Sequence, residues 1–214
     1  MLKKAVLDGI LDRSPYFGFK PLKTNSRKKV IPLTTAEVEV LEDLEIPENR
    51  LHLENIRDYF LFMLNTGVRY SDLFQLKIDH ITPSNLGNEF TNEGLSLLHF
   101  RQQKTGNIAV VPLNKLAKDL VRKYHEFYEL ESGYIFPKIT NQVFNRQLKD
   151  LAELADLKRG LNCHLARHTF ASRLRSKNVP LEDVSELLGH SSIKMTKIYA
   201  KSSMKNLLEA VELL

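Results

Sequence analysis

The stretch from Cys163 to Lys201, CHLARHTFASRLRSKNVPLEDVSELLGHSSIKMTKIYAK, organises the rest of this chain. Its first part carries His164 and Arg167 three residues apart, on one face of what reads as a helix. A pair of short helices broken at Gly189 then brings His190 and Tyr199. A guanidinium fork, proton-carrying imidazoles and a phenol are the parts that phosphoryl transfer to a tyrosine requires.

The 214 residues suffice for a sizeable core, as one domain with a short appendage. Lys and Arg outnumber Asp and Glu by 31 to 26, a mildly basic balance that permits a nucleic-acid partner without arguing for one. The distribution says more. Lys3 to Lys29 holds eight cations against Asp8 and Asp12, Glu37 to Asp58 holds eight acids against Arg50 and Arg57, and Lys158 to Lys177 holds six cations and no acid. The pattern predicts a polarised molecule with one side open to phosphates. The single cysteine, Cys163, excludes an internal disulfide and any Cys-rich zinc site. With no secretory or membrane-spanning apolar run, the expected compartment is the cytoplasm, without membrane contact.

Leu2, Val6, Ile10 and Leu11 follow a helical period that ends near Ser14-Pro15, and a basic linker runs from there to Val30. Thr34 and Glu37 form a capping-box pattern that opens a helix to about Leu44. Ile56, Tyr59, Phe60, Met63 and Leu64 make an apolar stripe ending at Thr66-Gly67, a stop signal. Ser71 is placed to cap a short helix through Leu76, which leaves Arg69 in the turn. The period then changes: Leu95 to Val111 reads as a β-hairpin with Lys104 at the start of its turn. Asn114 and Thr140 are expected to cap two further helices. The fold class is α+β, mainly helical around a small antiparallel sheet.

A phosphodiester gains negative charge in its transition state, so cutting it without a metal needs preorganised cations. Guanidinium suits this because its planar fork binds two oxygens and keeps its charge. Taken singly, each residue also has a plain explanation. Arg69 fits a solvated turn charge, Lys104 a solvated hairpin lysine, Tyr199 a core-packed helix tyrosine. His164 and His168 stand four apart, as zinc ligands sometimes do, but no further ligand pattern accompanies them and no metal site is assigned; His168 reads as structural. No P-loop or carboxylate dyad points to ATP or two-metal chemistry.

Taken together, His164-Leu165-Ala166-Arg167-His168-Thr169-Phe170 and Leu188-Gly189-His190-Ser191-Ser192-Ile193, ending in Tyr199, closely resemble the tyrosine recombinases, or phage integrase family. Thr66-Gly67-Val68-Arg69-Tyr70-Ser71-Asp72-Leu73 resembles the family's first-arginine motif. Gln103-Lys104-Thr105-Gly106-Asn107 before Val110-Val111-Pro112-Leu113 resembles its hairpin lysine. The pattern departs from the usual one at Leu165-Ala166, where the family commonly has a polar residue and then Leu. The resemblance covers about Val30 to Leu208. It implies a catalytic domain over residues 31–214, preceded over residues 1–30 by the remnant of a core-binding-domain helix and a basic strap.

The implied activity is that of a site-specific recombinase, similar to integrases of mobile elements. Tyr199 would attack a DNA phosphodiester and form a 3′-phosphotyrosyl link. Arg69 and Arg167 would hold the phosphate, His164 and His190 would donate to it or carry protons, Lys104 would protonate the departing 5′ oxygen, and Asp72 would brace the site. No cofactor is implied. The implied partners are double-stranded DNA and further copies of the chain, from dimer to tetramer on DNA. Lys20, Lys23, Arg27, Lys28, Lys29 and Arg173 are candidate DNA contacts. The rival readings are strand relaxation like that of a type IB topoisomerase and a catalytically silent DNA-binding regulator.

Overall fold

Helix α3 (His52–Thr66) forms the axis of the molecule, because it is apolar around most of its circumference and must be covered on every side. The computed structural model describes residues 2–19, 30–84, 95–128, 133–190 and 192–199. In chain order these form α1 (Leu2–Leu7), α2 (Thr35–Glu42), α3, α4 (Tyr70–Leu73), β1 (Ile81–Ser84), β2 (Leu95–Arg101), β3 (Ile108–Leu113), α5 (Lys115–Tyr128), α6 (Asn141–Leu154), α7 (Cys163–Ser176) and α8 (Leu181–Leu187). Two 3-10 turns, Ile193–Met195 and Lys197–Tyr199, follow α8. Helices α2, α5, α6 and α7 and strand β3 surround α3. Leu61 and Phe62 are therefore buried as well as the five residues of the expected stripe.

Caps act where the local sequence provides them. Thr34 Oγ1 accepts from the Glu37 amide, and Glu37 Oε2 accepts from the Thr34 amide at 2.7 Å, so the capping box closes in both directions. Asn114 Oδ1 accepts from the Ala117 amide and Thr140 Oγ1 from the Val143 amide, at 2.9 and 3.3 Å. Around Tyr59, the rings of Phe74, Tyr124, Phe136 and Phe144 stand with centroids 5.3 to 6.3 Å away. Asp58, buried on α3, is neutralised by Lys123 of α5 at 2.7 Å, as a buried carboxylate requires.

The sheet is antiparallel in the order β1-β2-β3. Strand β3 alternates exposed and buried residues and so faces the core on one side only. The hairpin is as expected, but β1 is an addition. Its Ile-Thr-Pro-Ser sequence carries little strand signal, and Pro83 is tolerated because β1 lies at an edge. Lys104 falls second in the tip at residues 103–106 and not at its start, since the Gln102 amide pairs with Asn107 O and extends the ladder.

Two further details differ from expectation. Ser71 is not a cap. Gly67 closes α3 with φ +66, and Arg69, in extended conformation, takes the N-cap position of α4, so Ser71 lies inside that helix. The first helix ends at Leu7, before Gly9, and buries none of its residues; Leu7 is 84% exposed.

Candidate active site

Helix α7 starts where Asn162 Oδ1 accepts from the Leu165 amide at 3.0 Å. Leu165, Ala166, Thr169 and Phe170 are buried, and α7 packs along α3. The unusual Leu165-Ala166 pair is thus core. Arg167 lies on the same side and is only 8% exposed. Its Nη1 donates to Gly67 O at 2.6 Å and its Nη2 to Leu188 O at 2.5 Å. One buried charge therefore ties the end of α3 to the end of α8. Burial, and then the Arg69 guanidinium, lower its pKa to about 9, which leaves it charged at neutral pH. Gly67 can carry no side chain here, because a Cβ would lie 2.5 Å from Phe170 Cδ1.

Arg69 emerges from the α3–α4 turn and donates from Nη1 to Gln102 Oε1 at 2.7 Å. Burial lowers its pKa, with Asp72 opposing. Asp72 Oδ1 accepts from the Gln103 amide at 2.9 Å, and its Oδ2 lies 3.9 Å from Arg69 Nη1. Gln102, 1% exposed, also donates from Nε2 to Leu188 O at 2.8 Å and accepts from Thr105 Oγ1. It packs so closely on Gly189 that a Cβ there would stand 2.4 Å from Nε2. The first arginine, the base of the hairpin and the loop after α8 are thereby fixed to one another through one amide side chain.

Gly189, in left-handed conformation, turns the chain out of α8 and presents His190. His190 Nδ1 pairs with Thr196 Oγ1 at 2.7 Å. Burial, then the Arg167 and Arg69 charges, push its pKa down to about 4, so the ring is neutral at pH 7. The Lys197–Tyr199 turn packs against α7, and Tyr199 joins Phe170, Ala171, Val184 and Leu188 in a small second core. Tyr199 Oη pairs with His168 Nδ1 at 2.8 Å, with ring centroids 5.5 Å apart. Burial raises the phenol's pKa, and Arg167 partly offsets this.

Of the residues singled out in the sequence, Arg69, Arg167, His190 and Tyr199 thus come together, with Asp72 beneath Arg69. His164 is exposed on the opening turn of α7, and Lys104 is exposed on the hairpin tip, whose base is held by Gln102 and Gln103. Arg173 stands nine residues beyond His164, about half a turn round α7 from it, and outside the cluster. Lys20, Lys23, Arg27, Lys28 and Lys29 lie outside the described residues. Gln102, Thr196 and His168 were not anticipated as partners. Only His168, adjacent to Arg167 and four residues from His164, had a sequence signal. Among the described residues, no group of three or more His, Cys, Asp and Glu gathers as a metal site would, and no helix is long and apolar enough to cross a membrane.

Comparison with known proteins points to one family and one fold. The model of the phage integrase family matches residues 33–206. The tyrosine recombinase XerA of Pyrococcus furiosus is 28% identical over 214 residues, covering 92% of this chain and 69% of the relative. XerC of Rickettsia bellii is 31% identical over 199 residues, covering 87% and 61%. Among solved structures, the XerH site-specific recombinase bound to its difH substrate in a pre-cleavage complex superposes with a TM-score of 0.65 at 25% identity, covering 88% of this chain and 56% of that one. A lambda integrase dimer on a COC′ core site shares the fold at a TM-score of 0.63 and 20% identity, covering 90% and 68%. The chain therefore spans a little over half to about two thirds of the length of these relatives.

Proposed function

The chain belongs to the phage integrase family, and on that premise we propose that it is the catalytic part of a site-specific DNA recombinase that works through a phosphotyrosyl intermediate. The observation that carries this reading is the meeting of two guanidinium groups, Arg69 and Arg167, beside a neutral His190 and a half-buried phenol, Tyr199. Tyr199 Oη attacks the phosphorus, the bond to the 5′ oxygen breaks, and the phosphate stays on the tyrosine. A 5′-hydroxyl of another strand then attacks that ester and frees Tyr199 at a new junction. The ester keeps the bond energy, so the reaction draws on no ATP, and Arg69 and Arg167 supply the positive charge for which a metal would otherwise be needed.

Arg69 and Arg167 hold the non-bridging oxygens. Arg167 does so with N–H groups beyond the two given to Gly67 and Leu188, since each terminal nitrogen carries a second hydrogen. His164 and His190 donate to the phosphate, and Asp72 holds Arg69 and the hairpin in register. The substrate is double-stranded DNA; in support, the XerH neighbour is bound to its difH substrate and a transposon integrase neighbour to a circular intermediate DNA. Two duplexes offer four strands while each chain offers one nucleophile, so exchange calls for assembly from dimer to tetramer on DNA. The place of action is the cytoplasm. Residues 31–214 are assigned to the catalytic domain. Residues 1–30 are assigned to the end of a DNA-clamping domain and its basic strap, whose cations, with Arg173, lie against backbone phosphates. In support, α1 buries none of its own side chains.

The test is incubation with nicked duplex in EDTA, followed by a two-site exchange assay on supercoiled DNA. A covalent adduct and product joined to a new partner support the recombinase. Relaxation without exchange supports the topoisomerase-like reading, and binding alone the silent regulator.

The role of Lys104 is separable by changing the substrate. A 5′-hydroxyl leaves only with a proton, whereas a 5′-thiol leaves readily as the anion. Lys104→Ala is expected to slow cleavage of ordinary DNA by about 100-fold or more and to recover most of that loss on DNA with sulfur at the bridging 5′ position. Equal deficits on both substrates would leave Lys104 a simple phosphate contact.

A further inference from the structure

The residue paired with the Tyr199 hydroxyl is neither His164 nor His190 but His168, whose place in the sequence reads as structural. His190 has its Nδ1 engaged by Thr196, and His164 is exposed at the start of α7; neither is hydrogen-bonded to Tyr199. A phenol has one O–H and needs one acceptor when half-buried. Among the described residues, His168 Nδ1 is the acceptor that Tyr199 Oη has. With the phenol as donor, the imidazole carries its proton on Nε2 and turns the unshared pair of Nδ1 toward the proton that must leave.

We propose that His168 accepts the phenolic proton as Tyr199 attacks DNA, a role that rests on the reading of Tyr199 as the nucleophile. The step balances as follows. The Oη–P bond forms, the P–O5′ bond breaks, the Oη proton passes to His168 Nδ1 to give imidazolium, and the 5′ oxygen takes its proton from Lys104. In rejoining, the neutral Lys104 amine takes the proton of the attacking 5′-hydroxyl, and the imidazolium returns its own to the departing phenolate.

The surroundings fit a transient acceptor. Burial, then His164 and Arg167, hold the His168 pKa below the ordinary value of 6.5, so the ring is free of its second proton at neutral pH and is ready to receive one. The same Arg167 charge that disfavours the imidazolium favours the phenolate, and it is the charge that the incoming phosphate neutralises. Sequence position contributes as well. His168 follows Arg167 directly on a helix anchored to the core by Leu165, Ala166 and Thr169, so the acceptor and the phosphate-holding group move as one body.

The experiment compares the parent, His168→Asn and His168→Phe for single-turnover adduct formation on nicked DNA, with noncovalent binding and thermal unfolding measured alongside. Asn places Oδ1 where Nδ1 stood and keeps the hydrogen bond, but it cannot take the proton; Phe keeps ring volume and loses both. The expected result is a loss of about 100-fold or more in both variants, with DNA binding retained. Bridging 5′ sulfur, which relieves Lys104→Ala, leaves His168→Asn slow, because the attacking proton must still be removed. Adduct formation by His168→Asn at the parental rate would overturn the proposal and make His168 a holder of the phenol only. A parent that forms no adduct would instead remove the recombinase reading, and this inference with it.

Discussion

Tyr199→Phe is expected to abolish covalent attachment to nicked DNA while leaving noncovalent affinity for the same duplex near the parental value. The substitution removes a single oxygen. The ring remains packed on Phe170, Val184 and Leu188, so the second core keeps its shape. What disappears is the attacking atom, and no rearrangement of the arginines can replace it. The rate should fall by about four orders of magnitude or more, to the background of the assay. Loss of the bond to His168 should cost about 1 kcal/mol of stability, since the partly buried imidazole still has an edge open to water. The measurement is the denaturant-resistant adduct on a gel, with a binding isotherm as control. An adduct that persists would move the nucleophile to another residue.

Arg167→Lys is the second large effect, because the structure gives this side chain two tasks. It keeps the charge but replaces a planar fork with a point-like ammonium. Gly67 O and Leu188 O accept from two separate nitrogens of the fork, a spread that a single ammonium nitrogen does not reproduce while it also faces the phosphate. Cleavage is expected to fall by about 100- to 1000-fold, the usual consequence of losing a preorganised donor to an oxyanion. Stability is expected to fall by about 1–3 kcal/mol, because Gly67 O loses its guanidinium donor, whereas Leu188 O keeps Gln102 Nε2. Single-turnover cleavage and thermal unfolding measured on one preparation separate the two. A lowered melting point with near-parental cleavage would make Arg167 a tie between α3 and α8 and nothing more.

The features legible in the sequence are those whose physics is local. The capping box at Thr34 and Glu37, the caps at Asn114 and Thr140 and the stop at Gly67 depend on side chains and backbone groups within four residues of each other. The hairpin around Lys104 depends on turn residues between two apolar runs. The order of Arg69, Lys104, His164, Arg167, His190 and Tyr199 was likewise readable, because it is a pattern along the chain. Tertiary structure alone decided the rest. Strand β1 has too weak a sequence signal to exist without β2 beside it, and α3 is buried all round only because five elements close on it. Gln102 reaches Arg69 across 33 residues, Arg167 reaches Gly67 across 100, and Tyr199 meets His168 across 31. Such contacts have no periodicity and no short-range partner. They arise because buried donors and acceptors must be satisfied by whatever the packed helices bring near, and for Tyr199 that group is the histidine beside Arg167.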